Sequence, residues 1–193
     1  MSVPQLADYA AESVRIYTAA LPWFLPGLVL AMVLGVPLSG PVAHWLRTRR
    51  AVGYLLIVSL GAILAATLPP GAEGFDRAAD RIGACDLHRI GLATSHDYLS
   101  VSEVSLNVLL FVPLGVAIAL LPRTRRTLGI AVAAFLLPVS IEVTQLVVPT
   151  LGRACESGDV VDNLAGLLLG LAIGGVGVAI GQAATRMGRS RAS

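Results

Sequence analysis

Apolar residues occur along this chain in five long runs that are separated by short polar segments. The runs lie near residues 21–38, 52–68, 104–121, 128–148 and 160–180. Each approaches the roughly 20 residues that a membrane-spanning helix needs. Inside a bilayer each run must satisfy its own backbone hydrogen bonds, and a β-barrel would instead show alternating segments of about ten residues. The pattern predicts an all-α membrane protein, a bundle of about five transmembrane helices.

The composition agrees with this class. Hydrophobic residues make up 55% of the 193 positions and charged residues 13%, with a mean hydropathy of +0.78, whereas soluble domains carry about 25% charged residues. Three His and two Cys are too few for a Cys/His zinc site of the usual spacing. We therefore expect no metal, no cofactor and no nucleic-acid partner, and membrane lipids as the surroundings.

Arginine placement predicts the orientation. All 14 basic residues are Arg, and none of the 12 acidic residues falls in the three segments that hold nine of them. These nine are Arg47, Arg49, Arg50, Arg123, Arg125, Arg126, Arg186, Arg189 and Arg191. Since short Arg-rich segments stay in the cytoplasm, we expect the N-terminus outside and the C-terminus inside. Residues 1–20 are then an extracytoplasmic tail, residues 21–182 one transmembrane domain, and residues 183–193 a cytoplasmic basic tail.

This topology places the segment 69–103 outside the membrane. It contains Cys85, and Cys155 follows the fourth run on the same side. An oxidising space allows a disulfide between them, the alternative being two unpaired thiols. His88 and His96 lie in the same segment, but their spacing predicts no metal site.

Polar residues interrupt the outer end of the fourth run. Glu142 and Gln145 are three positions apart and share a helix face. A carboxylate inside an apolar run must be ion-paired, hydrogen-bonded or protonated. Arg153, in the adjoining loop, is the natural partner.

The third and fifth runs also begin with polar residues. Asp159, Asp162 and Asn163 fall in the first turn of the fifth, where Asp159 is either an N-cap or a site residue. Asn107 lies about one turn into the third run, within expected reach of Asn163, Gln145 or Glu142, or it forms a structural bridge between helices. A small-residue ladder follows, which we interpret as packing: Gly166, Gly170 and Gly174, continued loosely by Gly177 and Gly181.

Three blocks in this order resemble a known family. The first is Asn-x3-Phe-x-Pro-x-Gly, the second Glu-x2-Gln, and the third an Arg followed by Asp-x3-Asn-x2-Gly-x3-Gly. They are formed here by Asn107, Phe111, Pro113, Gly115, Glu142, Gln145, Arg153, Asp159, Asn163, Gly166 and Gly170. The pattern, over residues 54–180, is similar to that of the VanZ-like family, bacterial multispanning membrane proteins named for a teicoplanin-resistance accessory protein. Asp162 and the long segment with Cys85 depart from the pattern.

The resemblance implies a protein of the bacterial cytoplasmic membrane with no defined reaction. The first hypothesis is a non-enzymatic protein that binds an amphiphile, either a lipid-linked cell-wall precursor or a lipoglycopeptide antibiotic, and contributes to glycopeptide resistance. Its binding residues would be Asn107, Glu142, Gln145, Arg153, Asp159, Asp162 and Asn163. The second is a membrane-embedded enzyme acting on a lipid-linked substrate through Glu142 and Asp159. The third is a structural subunit for another membrane protein.

Overall fold

The computed structural model describes residue 19, residues 21–70 and residues 84–190, with side chains described up to residue 187. The elements in chain order are α1 (Phe24–Leu46), α2 (Arg50–Thr67), β1 (Cys85–Asp86), α3 (Ser95–Leu99), α4 (Glu103–Ala119), α5 (Arg125–Val147), a 3-10 turn (Pro149–Leu151), β2 (Cys155–Glu156) and α6 (Ser157–Ser190). Most of the N-terminal tail and part of the segment 69–103 lie outside the described residues.

The predicted all-α membrane bundle is confirmed. Helices α1, α2, α5 and α6 are long and apolar enough to cross a membrane, and α4 is a shorter apolar helix of 17 residues. Each predicted run corresponds to one of these five helices. The division into tail, domain and basic tail stays a prediction.

Helix α1 extends further than the sequence predicts. The apolar run was expected to stop near residue 38 because of Pro37, yet the helix continues through Pro37 and Pro41 to Leu46. A proline removes one backbone hydrogen bond, and the apolar residues on both sides still favour a helix in lipid. Arg47 ends the helix in the left-handed conformation, with φ at 54°.

Helices α1 and α2 form an antiparallel hairpin that is held together by small residues. Gly27 lies against Ala65, and Gly61 lies against Ala31, where an added Cβ would come within 2.3 Å of the alanine Cβ. Small residues let membrane helices approach closely. The hairpin therefore depends on the absence of larger side chains at these positions.

Helices α4 and α6 pack side by side and run parallel. Gly166 lies against Val108, and Gly170 lies against Val112. A move of four residues along one helix thus corresponds to a move of four residues along the other in the same direction. A Cβ at Gly170 would lie 2.1 Å from the carbonyl oxygen of Val112. The predicted packing role is thus supported for Gly166, Gly170 and Gly174, whereas the looser extension is wrong: Gly177 and Gly181 face open space.

The core lies where α2 meets the α4–α6 pair. Ile63, Phe111 and Leu167 have no exposed surface. Large apolar side chains elsewhere stay on the outside, among them Val33 at 62% and Ile180 at 65% exposure. An apolar exterior of this kind suits a lipid solvent.

The bundle has two chemically different ends. At the polar end, α2 and α5 finish and α4 and α6 begin. Strands β1 and β2 pair in parallel there, and a disulfide joins Cys85 to Cys155. At the arginine end, the α1–α2 turn lies near the start of α5, and Arg126 donates a hydrogen bond to the carbonyl oxygen of Trp45 (2.6 Å).

Candidate functional site

Two residues of α5 turn polar side chains into the polar end. Glu142 is 5% exposed and Gln145 is 6% exposed. The carboxylate Oε2 of Glu142 accepts a hydrogen bond from the backbone N–H of Glu156 at 2.7 Å. Gln145 donates from Nε2 to the carbonyl oxygen of Thr67 at 3.0 Å. Both side chains thus connect α5 to neighbouring backbone, at β2 and at the end of α2.

The expected pairing of Arg153 with Glu142 is wrong. Arg153 instead donates from Nη2 to the carbonyl oxygen of Ala66 at 3.1 Å, with longer contacts to Pro69. The last carbonyl groups of a helix have no partner within it and carry partial negative charge, so the end of α2 attracts the guanidinium. Burial lowers the pKa of Arg153, and the nearby Asp159 acts in the opposite direction.

Asp162 forms a buried ion pair that the sequence did not predict. Its side chain has no exposed surface, and Arg89 holds both carboxylate oxygens, with Nη1 3.0 Å from Oδ1 and Nη2 against Oδ2. The Tyr98 hydroxyl lies 3.2 Å from Oδ1. The hydrogen bond with Asp162 raises the pKa of Arg89. A buried carboxylate paired in two places in this way is a structural group rather than a free ligand.

The segment that carries Arg89 and Tyr98 is fixed at several points. Ser157 donates a hydrogen bond to the carbonyl oxygen of Arg89 at 2.8 Å, and the Cys85–Cys155 disulfide anchors its start. Thr94 and Asp97 form a capping box at the beginning of α3, and hydrogen bonds from Thr94 lower the pKa of Asp97. We call residues 85–99 the strap, because they lie across the start of α6.

Three predicted site residues have unused hydrogen-bonding capacity. Asn163 is 2% exposed, and its Oδ1 has no hydrogen-bond partner in the described part of the chain. Asp159 and Asn107 are half-buried and make no side-chain hydrogen bond there. Asp159 is not an N-cap, because α6 already begins at Ser157 and the aspartate falls in its first turn.

Asn107 lies near Asn163 in depth but does not bond to it. The α4–α6 pairing, extended by one turn, puts Asn163 level with Ser105, and Asn107 then lies about 3 Å deeper at 1.5 Å per residue. The expected hydrogen bonds from Asn107 to Asn163, Gln145 or Glu142 do not form between these described residues.

Among the described residues, the polar end carries more carboxyl groups than guanidinium groups. Asp159 interacts electrostatically with acidic side chains on α4, α5 and β2 and within α6, and with two basic side chains. The acidic set is Glu103, Glu142, Glu156, Asp159 and Asp162, and the basic set is Arg89 and Arg153. Arg89 is already paired with Asp162. The other carboxyl groups of the polar end therefore favour a ligand group that is positively charged or donates hydrogen bonds.

No group of three or more His, Cys, Asp or Glu side chains among the described residues is arranged to hold a metal ion. His88 and His96, both exposed, do not take part in the polar end. The structure places six predicted site residues at one end of the bundle, and their role in binding stays a prediction: Glu142, Gln145, Arg153, Asp159, Asp162 and Asn163. The sequence reasoning missed Arg89 and Tyr98, since neither lies in an apolar run.

Comparison with known families gives one match. A family model described as VanZ/LLP1 covers residues 28–176, which is most of the chain and includes every block of the motif. Comparisons with curated proteins and with solved structures gave no significant match.

Proposed function

Because the chain belongs to the VanZ-like family, we propose that it binds an amphiphile at the polar end of its bundle, without chemical turnover. The amphiphile is a lipid-linked cell-wall precursor or a lipoglycopeptide antibiotic in the outer leaflet of the bacterial cytoplasmic membrane. Glycopeptide resistance would then follow from sequestering or displacing that molecule. Membership of the family and the apolar helices support a membrane protein; the ligand is the proposed part.

The observation that carries the proposal is the unpartnered Oδ1 of Asn163. A buried acceptor without a donor costs about 1–3 kcal/mol, so such groups in folded proteins usually have a reason. The buried side chains of Glu142, Gln145 and Asp162 each have a hydrogen-bond partner within the protein. A ligand N–H or O–H group that donates to Oδ1 of Asn163 would remove this cost.

The charges select the kind of polar group. Glu142 and Asp159 interact electrostatically with each other in a region where carboxyl groups outnumber guanidinium groups. Amine, amide and hydroxyl donors fit this region better than phosphate does. The proposed contacts are therefore made by the peptide or sugar part of the amphiphile.

The lipid part has apolar surface beside the site. Val143 is 50% exposed, Val147 is 66% exposed and Leu109 is 61% exposed. They lie on α5 and α4, within the turns that also carry Glu142 and Asn107. An acyl chain can follow these helices into the bilayer while the polar part reaches the cluster.

A binding measurement in lipid nanodiscs tests the proposal. Teicoplanin and a purified lipid-linked cell-wall precursor are added separately, and thermal unfolding is followed. We expect one of them to stabilise the wild-type protein, by about 2.7 kcal/mol at a hundredfold excess over Kd. If neither probe shifts the unfolding temperature, the binding proposal is wrong.

Asn163→Leu is the decisive variant. It removes the unsatisfied acceptor, so the ligand-free protein should keep or gain stability, by about 1 kcal/mol, while the shift caused by the probe disappears. Gln182→Leu is the matched control, since it replaces an exposed amide on the same helix and should leave the shift intact. A full shift in Asn163→Leu would exclude Asn163 from the site.

The second candidate is an enzyme, favoured by the electrostatic interaction between Glu142 and Asp159. Two interacting carboxyl groups in an apolar setting can divide the roles of acid and base. Incubation with the lipid-linked precursor, followed by mass spectrometry of the lipid, separates the two functions. A product formed by wild-type protein and lost in Glu142→Gln would replace binding by catalysis.

A further inference from the structure

A cavity at the arginine end lies outside the site described above. It has a volume of about 220 Å³ and is lined by Trp45, Leu46, Arg47, Thr124, Arg125 and Arg126. A wider concavity adjoins it and shares Trp45, Arg47 and Arg126. The cavity thus lies between the end of α1 and the start of α5.

The helices and turns that line this cavity do not compensate its positive charge. Three guanidinium groups surround it, and the sequence contains no Asp or Glu between Glu12 and Glu73 or between Glu103 and Glu142. The helices and turns that line the cavity therefore supply no carboxylate. Arg47 and Arg125 are exposed, and their side chains donate no hydrogen bond to any described residue.

Arg126 is fixed in place. Its Nη1 donates to the carbonyl oxygen of Trp45 at 2.6 Å, and its guanidinium carbon lies 5.5 Å from the centre of the Trp45 ring. A cation over an aromatic face is a stabilising arrangement, and Trp is common at the membrane boundary. One wall of the cavity is therefore preorganised before any ligand arrives.

Backbone donors add to the positive field. Thr124 caps α5, and its hydroxyl accepts from the N–H of Thr127. The N–H groups of Arg125 and Arg126, at the first two positions of the helix, have no intrahelical acceptor. Such groups favour an anion, and here they coincide with a cavity already lined by guanidinium side chains.

We propose that this cavity binds a phosphate group, as a phosphodiester or phosphomonoester. Guanidinium groups match phosphate oxygens in geometry and charge. Basic pockets between helix ends are also where anionic lipid head groups bind in other membrane proteins. The phosphate comes either from an anionic phospholipid or from a soluble phosphate compound.

The test uses native mass spectrometry of the full chain released from nanodiscs of phosphatidylcholine with phosphatidylglycerol. Wild-type protein should retain phosphatidylglycerol in preference to phosphatidylcholine. The double variant Arg47→Gln/Arg125→Gln should retain about tenfold less or lower still, because each arginine near an anionic head group contributes separately to binding. Its thermal unfolding in nanodiscs of phosphatidylcholine alone should be unchanged, since both side chains are exposed.

Arg49→Gln/Arg123→Gln is the matched control. It removes the same charge from the same two turns, but neither residue lines the cavity. It should retain the lipid as wild-type protein does. Equal losses in both double variants would overturn the proposal in favour of diffuse surface charge, and so would no loss in either.

Inorganic phosphate separates the two sources. The probe is Trp45 fluorescence in a Trp23→Phe background, which leaves Trp45 as the sole Trp because the chain has two. A saturable response to inorganic phosphate, abolished by Arg47→Gln/Arg125→Gln, would support a site for phosphate itself. No response, together with selective lipid retention, would assign the site to the lipid head group. No response and no selective retention would overturn the proposal.

Discussion

Asp162 and Arg89 link the strap to the start of α6 through a charge pair with one member fully buried. Removing two ions from water is costly, so the pair adds little net stability by itself. Breaking it is different, because no other cation among the described residues pairs with the carboxylate that remains. The pair therefore holds the strap in position against α6, and its loss should substantially lower the free energy of unfolding.

We predict that Arg89→Leu destabilises the protein by about 3 kcal/mol, the range found when one partner of a buried pair is removed. Arg123→Leu, at an exposed site, should change stability by less than about 0.5 kcal/mol. Asp162→Asn combined with Arg89→Gln should cost less than the sum of the two single changes, since no bare charge remains. Thermal unfolding in nanodiscs measures all five variants, and additive effects of the two single changes would contradict this role of the pair.

The residues that the sequence could not place are those whose partners are far along the chain. Arg89 and Asp162 are separated by 73 positions, and no periodicity links a loop arginine to a helix carboxylate. Glu142 was assigned Arg153 because it was the nearest cation in sequence, but the carbonyl groups at the end of α2 attract that cation instead. A sequence pattern shows that a buried charge needs a partner, and tertiary packing decides which one.

The contact between Asp162 and Arg89 joins the two features that the sequence analysis expected to depart from the VanZ-like pattern. These are Asp162 itself and the long segment with Cys85. In the structure the strap, which belongs to that segment, supplies the partner of this carboxylate.

At the scale of the helix, the glycines of α6 differ in what surrounds them. Gly166 and Gly170 lie against the backbone of α4, whereas Gly177 faces open space. From sequence alone the five glycines form one ladder. What separates them is where α4 ends, at Ala119, beyond which α6 has no helix to pack against.

We predict that Gly170→Ala destabilises the protein by about 2 kcal/mol or more, since an added Cβ would lie 2.1 Å from a backbone carbonyl oxygen and overpacking costs about 1–3 kcal/mol. Gly177→Ala should be neutral or stabilise by about 0.5 kcal/mol, because alanine favours the helix. The two variants change one methyl group on the same helix, so thermal unfolding compares them directly. Equal effects would show that α4 and α6 do not pack as described.

Helix positions were the most predictable feature, and helix ends the least. All five apolar runs became helices because lipid leaves the backbone no other partner. The end of α1 was misplaced by eight residues, from 38 to 46, because a proline breaks helices in water more readily than in an apolar surround. The disulfide could be predicted because the expected topology placed both cysteines on one side of the membrane. The structure contains this bond.

At the scale of the whole molecule, the arginines of the α1–α2 turn and the α4–α5 turn lie together at one end, opposite the disulfide and the strap. This separation fits an orientation in the membrane with the arginine end in the cytoplasm. It also fits the chemistry of the other end, because a disulfide persists in an oxidising space. The orientation stays a prediction, which the placement of the arginines and of the disulfide both favour.

We predict that a cysteine introduced at Arg49 is protected from a membrane-impermeant thiol reagent in intact cells, and that one introduced at His96 is labelled. Both side chains are exposed, so protection reports the side of the membrane rather than burial, and each cysteine reacts fully once the membrane is dissolved. Labelling is done in a Cys85→Ser/Cys155→Ser background to remove competing thiols. That background loses up to about 4 kcal/mol, because the bridge closes a loop of 70 residues and constrains the unfolded chain, so growth and labelling are kept at low temperature. Label reaching residue 49 from outside would reverse the orientation and place the polar end, with its proposed ligand, on the cytoplasmic side.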